Sequence, residues 1–200
     1  MRSLRLINKW IIAAILAGSA MAVQAVPITG SIQMGGLVNT VDPFGNSTTL
    51  GSATGLAFVP LIPNTNKNMM VYLATGDFTQ MGPTPLFGNI QNFQFNPFVG
   101  NVTNFWTAGG FSFALNSLAI NTQNNNFLNI SGTGTITAPA NSGLSATTGY
   151  WSLSAQSGGS TGSIFSWSSS SGVPEPGPLA LLGIGLFAIG AMRVRSSVKG

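Results

Sequence analysis

Alternation of apolar and polar residues with a period of two is the feature that most constrains the fold. It is clearest from Leu128 to Ala138 (LNISGTGTITA), where leucine, isoleucine and alanine share one parity and asparagine, serine and threonine take the other. Such alternation is typical of a strand with one buried and one solvated face. Gly132 and Gly134 interrupt the apolar parity, and they predict a bend in the strand.

The same alternation recurs in shorter segments along the chain. Large apolar side chains occupy alternate positions in FSFAL, YWSLSA and IFSW, namely Phe111, Phe113, Leu115, Trp151, Leu153, Ala155, Phe165 and Trp167. Further strands are expected at Ile28–Met34, Leu56–Leu61, Met69–Ala74 and Ile90–Phe95. About eight or nine short strands, separated by turn clusters and without an amphipathic helix, predict an all-β body over residues 26–167. We expect an antiparallel β-sandwich of the jelly-roll type.

Charge is nearly absent from the middle of the chain. The formal net charge is +4, but between Lys9 and Arg193 the charged residues are Asp42, Lys67, Asp77 and Glu175. The positive charge therefore lies at the two ends of the sequence, and the body has no basic surface for a phosphate backbone. This distribution excludes nucleic acid as a partner.

The sequence contains no cysteine and no histidine. Zinc and copper sites lose their usual ligands, and neither a thiol nor an imidazole is available for catalysis. Asp42 and Asp77 are the carboxylates of the body, and both stand beside turn residues. We expect each to cap a turn rather than to form a glycosidase pair or a calcium site. The sequence thus predicts no metal, no cofactor and no enzymatic activity.

Residues 1–25 have the three parts of a secretory signal peptide. Arg2, Arg5 and Lys9 precede the short apolar run WIIAAILA, and small residues follow it. Val23 and Ala25 supply small side chains at the two positions that signal peptidase reads, and the preceding AMA offers a second site. We predict export through the Sec translocon and cleavage after Ala25.

A second apolar run, residues 178–194, lies near the end of the sequence. A helix of about 17 residues covers roughly 25 Å, which is marginal for a hydrocarbon core of about 30 Å. Basic residues close the run and hold this end in the cytoplasm by the positive-inside rule: Arg193, Arg195 and Lys199. The sequence therefore predicts a single transmembrane helix and an outward-facing body.

A proline-rich motif stands directly before this run, and it consists of Val173, Pro174, Glu175, Pro176 and Gly177. The two prolines keep the segment extended and outside the following helix, which suits binding in a protease cleft. Glu175 places a single negative charge at the membrane face, where a basic pocket can bind it. Residues 168–172 (SSSSG) precede the motif, and their composition predicts a flexible linker.

The motif, the apolar run and the basic end together resemble the PEP-CTERM sorting signal, over residues 173–200. The resemblance implies that exosortase, a membrane protein with a cysteine-protease-like site, binds and removes this tail. The protein would then pass from a transient inner-membrane stage to the surface of a Gram-negative bacterium that makes exopolysaccharide. A proline hinge before a permanent anchor is the alternative. WTAGGFSF, the Leu128–Thr137 strand and YWSL also resemble the β-rich ectodomains ahead of such tails, for which the family offers no established activity.

Three functions remain open for the body. The preferred one is a non-catalytic structural or adhesive component of the cell surface or biofilm matrix. The body has very little charge, and charge is the usual device that keeps sheet edges apart, so such a body can assemble through exposed strands. A carbohydrate-binding module is the second, with Trp106 and Tyr150 as candidate glycan contacts. The strand parity places Trp151 and Trp167 in the core, whereas Trp106 and Tyr150 are less constrained by it. A glycan-active enzyme is the most distant, since it needs both aspartates in one cleft.

Overall fold

The computed structural model describes residues 26–158 and 163–171. The predicted signal peptide, sorting motif and transmembrane helix lie outside these residues. Among those described, no helix is long and apolar enough to cross a membrane. The strands are β1 (Val26–Pro27), β2 (Ser31–Val41), β3 (Gly55–Val59), β4 (Met69–Ala74), β5 (Leu86–Ile90), β6 (Phe93–Gln94), β7 (Val102–Ala108), β8 (Phe111–Leu115), β9 (Ala119–Gln123), β10 (Phe127–Thr137), β11 (Leu144–Ser145), β12 (Thr147–Gln156) and β13 (Ser163–Ser171). Short 3₁₀ helices span Leu50–Ser52 and Gly76–Met81.

Eight of these strands close into one antiparallel barrel. Each strand pairs with the next in the order β2, β4, β5, β7, β8, β10, β12, β13, and β13 pairs again with β2. The prediction of an antiparallel all-β body is confirmed. In place of the two facing sheets of a jelly-roll sandwich, the barrel strands form one closed sheet, because β13 hydrogen bonds to both β12 and β2.

Two long strands change partners along their length and so extend the barrel at one end. Strand β2 pairs with β4 near its start and with β3 from Leu37 onward. Strand β10 pairs with β9 through Leu128–Ser131 and with β8 through Gly134–Thr137. Gly132 and Gly134, the glycines from which a bend was predicted, lie at this second change of partner. A Cβ atom on Gly132 would collide with the carbonyl oxygen of Ser117, so the close approach requires glycine.

Aromatic side chains fill the core, as the strand parity predicts. All eight alternating residues from FSFAL, YWSLSA and IFSW are buried, together with Leu128, Ile130 and Ile136 from β10. The Trp167 ring stacks on Trp151 at 4.7 Å between centroids, and it meets the edge of Phe113 at 5.5 Å. Stacked and edge-to-face pairs of this kind add to the stability that apolar burial provides.

The prediction of a flexible linker at residues 168–172 is wrong for its first four residues. Ser168–Ser171 forms the second half of β13 and pairs with both β12 and β2. The Ser171 N–H group donates to the Gly30 carbonyl oxygen at 3.1 Å, and the Gly30 N–H group donates to Ser171 Oγ at 3.1 Å. Pairing on both sides outweighs the flexibility that serine composition suggests. The body therefore extends to Ser171, which lies beside the start of β2.

Candidate functional site

The Asp42 carboxylate is held within a turn. Its Oδ1 atom accepts hydrogen bonds from the N–H groups of Phe44 at 2.9 Å and Asn46 at 2.8 Å. Its Oδ2 atom accepts from Asn46 Nδ2 at 3.1 Å, and this side-chain bond is the main cause that lowers the pKa of Asp42 below its ordinary value. The prediction that Asp42 caps a turn is confirmed.

The Asp77 carboxylate lies at the other end of β2. Its Oδ2 atom accepts hydrogen bonds from the N–H group of Thr29 at 2.7 Å and from the Thr29 hydroxyl at 2.9 Å. Thr29 precedes β2 and Asp42 follows it, so the eleven-residue strand separates the carboxylates by roughly 36 Å. A glycosidase pair needs roughly 5–9.5 Å. The described residues thus contain no carboxylate pair and no group of three or more potential metal ligands.

The prediction that Trp106 is accessible to a glycan is wrong. Its side chain is 0 % exposed, and it lies parallel to the Phe113 ring at 5.7 Å. The pairing register of β7 shifts between Val102 and Trp106, and Asn104 adopts a left-handed φ of 51°. This irregularity turns Phe105 and Trp106 inward in succession, which simple alternation cannot anticipate.

Tyr150, the other predicted glycan contact, is 60 % exposed on the outer wall of the barrel. It belongs to a nearly uniform polar surface formed by three neighbouring strands. Cross-strand register aligns Tyr150 with Ser170 and Ser31, and aligns Ser152 with Ser168 and Gln33. We call this surface the serine face, and it consists of Ser31, Gln33, Tyr150, Ser152, Ser154, Ser166, Ser168 and Ser170.

The serine face is a shallow trough with a tyrosine at each end. Two grooves of about 280 and 170 Å³ run into one another, since both are lined by Gln33, Ser152 and Ser168. Tyr150 lines the larger groove, and Tyr72, which is 45 % exposed, lines the smaller one. The serine side chains are small, so the two tyrosine rings project further from the barrel wall than the serines between them.

Hydrogen-bonding groups in the trough are partly organised and partly free. The Ser154 and Ser166 hydroxyls pair at 2.9 Å, and Asn129 Nδ2 donates to Ser152 Oγ at 3.5 Å. Within the described part of the chain, no hydrogen bond is formed by the side-chain polar groups of Gln33, Ser168, Ser170, Tyr72 and Tyr150. None of the lining residues is charged. The trough therefore offers uncharged donors and acceptors beside aromatic rings, a combination that suits a neutral, hydroxyl-rich ligand.

Sequence reasoning found Tyr150 but missed the serines and Gln33. The available signal was the continuation of the IFSW alternation into SSSS. Ser169 lies inward and is buried, while Ser168 and Ser170 point outward. A run of identical polar residues shows no alternation of apolar and polar side chains, so the sequence pattern did not predict a strand there.

No family model matches the sequence, and no curated protein or solved structure was found to be similar to it. The fold and the site define a closed antiparallel barrel with an uncharged polar contact surface. Its function is therefore inferred from the chemistry of that surface and from the sequence at the two ends.

Proposed function

We propose that this protein is an exported, non-catalytic adhesive component of the cell surface or exopolysaccharide matrix, and that its serine face binds a neutral polysaccharide. The observation that carries the proposal is the uncharged trough between Tyr150 and Tyr72. An aromatic ring packs against the C–H groups of a sugar, while hydroxyl and amide groups pair with its hydroxyls. In this proposal the protein is adhesive because it binds carbohydrate, so the first two hypotheses from the sequence are combined.

The openness of the serine face suits retention in a matrix rather than tight capture of a small molecule. A shallow surface buries only part of a ligand, so a single contact is weak. A polysaccharide repeats its sugar units, and many protein copies on one polymer raise the overall binding strength without any new contact. We therefore expect weak individual contacts and strong retention on the polymer.

A glycan array probed with residues 26–171 tests the binding. We expect saturable binding to neutral polysaccharides and about tenfold weaker binding for Tyr150→Ala, because the substitution removes the ring that stacks on the sugar. Phe44→Ala is the matched control. Phe44 is 87 % exposed in the turn beyond β2, roughly 30 Å along the strand from the row of Tyr150. Equal loss in both variants, or binding to charged glycans alone, would contradict the proposal.

The sorting part of the proposal rests on residues 173–200 and on the position of the two body ends. Gly30 and Ser171 are hydrogen bonded to each other, so the start of β2 and the end of β13 lie at the same end of the barrel. In sequence, the predicted signal peptide precedes the first of these strands and the predicted tail follows the second. This arrangement lets both segments reach the membrane while the barrel stands outside. Signal peptidase, the Sec translocon and exosortase are the proposed partners of these segments, and the inner membrane is a transient one.

Mass spectrometry of the surface form tests the sorting. We expect no peptide from Leu179 onward, because exosortase removes the tail. Glu175→Ala should leave the precursor in the inner membrane, since it removes the one acidic group of the motif. Ser197→Ala, a change in the same tail outside the motif, should be processed normally. Recovery of the intact tail at the surface would refute exosortase processing.

A further inference from the structure

Strand β9 presents a sheet edge that no described strand covers. It is the one strand of five or more residues in the described ranges that pairs with a single neighbour, β10. Four of its five residues are exposed, and Ile120 is 39 % exposed. Such an edge carries unpaired N–H and C=O groups that can hydrogen bond to a further strand.

Other incomplete edges of the barrel are closed by side-chain amides. Beside β3, Asn92 Oδ1 accepts a hydrogen bond from the Phe58 N–H group at 2.7 Å. Beside β7, Gln91 Nε2 donates to the carbonyl oxygens of Thr103 at 3.0 Å and Asn104 at 2.7 Å. These amides satisfy backbone groups that would otherwise bind another strand.

The side-chain amides of β9 do not cover the outer edge of their own strand in this way. Asn121 Nδ2 donates to Asn129 Oδ1 at 2.7 Å and to Ser131 Oγ at 2.9 Å. Gln123 Nε2 donates to the carbonyl oxygens of Leu50 at 3.0 Å and Ala53 at 2.8 Å. Both side chains hold β9 in place and leave its outer edge open. A strand that is already ordered loses little conformational freedom when a partner strand binds.

The edge lacks two common protections against pairing with itself, charge and proline, although its pairing register with β10 shifts between Asn129 and Ile130. Natural edge strands commonly carry lysine or proline, and β9 (AINTQ) has neither. The sequence contains no charged residue between Asp77 and Glu175. Two copies of this surface can therefore meet without repulsion between like charges.

We propose that two copies of this protein associate through antiparallel pairing of their β9 strands about a two-fold axis. The second copy is the partner that fits, because a two-fold axis makes an antiparallel strand its own complement. Ile120 of each copy, which is 39 % exposed, then gains a cross-strand neighbour that covers part of its surface. The association goes beyond the adhesive function and does not depend on glycan binding. It places two serine faces in one particle.

Sedimentation velocity of residues 26–171 over a range of concentrations tests the association. This segment contains the closed barrel and all the buried residues described. We expect a concentration-dependent shift from monomer to dimer in the wild type. Ile120→Lys should weaken the dimer at least tenfold, because Ile120 is next to the central residue of β9 and the substitution places two like charges near the axis. Ile164→Lys, on a strand paired on both sides, is the matched control and should dimerise like the wild type.

Hydrogen exchange of the wild type provides a readout that does not rely on a variant. The β9 amides should become more protected as the dimer forms. A wild type that stays monomeric, a dimer that Ile120→Lys leaves unchanged, or a dimer without added protection in β9 would each overturn the proposal. Glycan binding by a monomer would leave the adhesive function standing, so the two proposals fail separately.

Discussion

Replacing Trp167 by alanine is expected to lower the free energy of unfolding by about 3–5 kcal/mol. Trp167 is 1 % exposed at the centre of the aromatic core, in ring contact with Trp151, Phe105 and Phe113. A closed sheet fixes the spacing of its walls, so the barrel cannot collapse far into the cavity that alanine leaves. Urea unfolding followed by far-ultraviolet circular dichroism measures the loss.

Trp167→Phe is the matched control for this experiment. Trp167 Nε1 is buried and has no hydrogen-bond partner within the described residues, so phenylalanine removes ring volume but no hydrogen bond. We expect a smaller loss than with alanine. In Trp151→Phe, by contrast, a hydrogen bond from Nε1 to the Thr133 carbonyl oxygen at 3.2 Å is also lost. An alanine variant as stable as the wild type would show that Trp167 lies outside the core.

Ending the protein after Trp167 instead of Ser171 is expected to destabilise it by roughly 3–5 kcal/mol. Ser168–Ser171 pairs with β12 on one side and β2 on the other. Its removal breaks backbone hydrogen bonds on both sides and exposes the neighbouring walls of the barrel to water. Thermal or urea unfolding of residues 26–167 and 26–171 gives the difference directly.

The two lengths also discriminate between a strand and a linker. A linker contributes no pairing, so equal stability of the two proteins would restore the interpretation of residues 168–172 as a flexible spacer. Extending the protein from Ser171 to Gly172 serves as the control and should change little, because β13 ends at Ser171.

Alternation along single strands predicts much of the core. Met69–Ala74 has the bounds expected from its composition, and the inward faces of β8, β10 and β12 follow the expected parity. Parity reports local burial, whereas closure of the barrel depends on β13 meeting β2 more than a hundred residues away in sequence. The alternation within β13 does not indicate which distant strand it pairs with, and for this reason the closed sheet was not predicted.

The candidate site was predictable only where an aromatic residue marked it. Tyr150 alternates with the buried Trp151, so its exposure follows from the pattern. Trp106 breaks the pattern because the register of β7 shifts beside it. Gln33, Ser152 and Ser168 become one surface only when three strands align, and a single sequence contains no record of that alignment.

The binding of a neutral polysaccharide by the serine face is tested most directly by titration calorimetry. The ligand is the neutral polysaccharide that binds most strongly on the array, and the proteins are the wild type, Tyr150→Ala and Phe44→Ala. We predict a dissociation constant about tenfold higher for Tyr150→Ala and an unchanged constant for Phe44→Ala. A wild type and a Tyr150→Ala variant of equal affinity would contradict the assignment of the serine face as the glycan-binding surface.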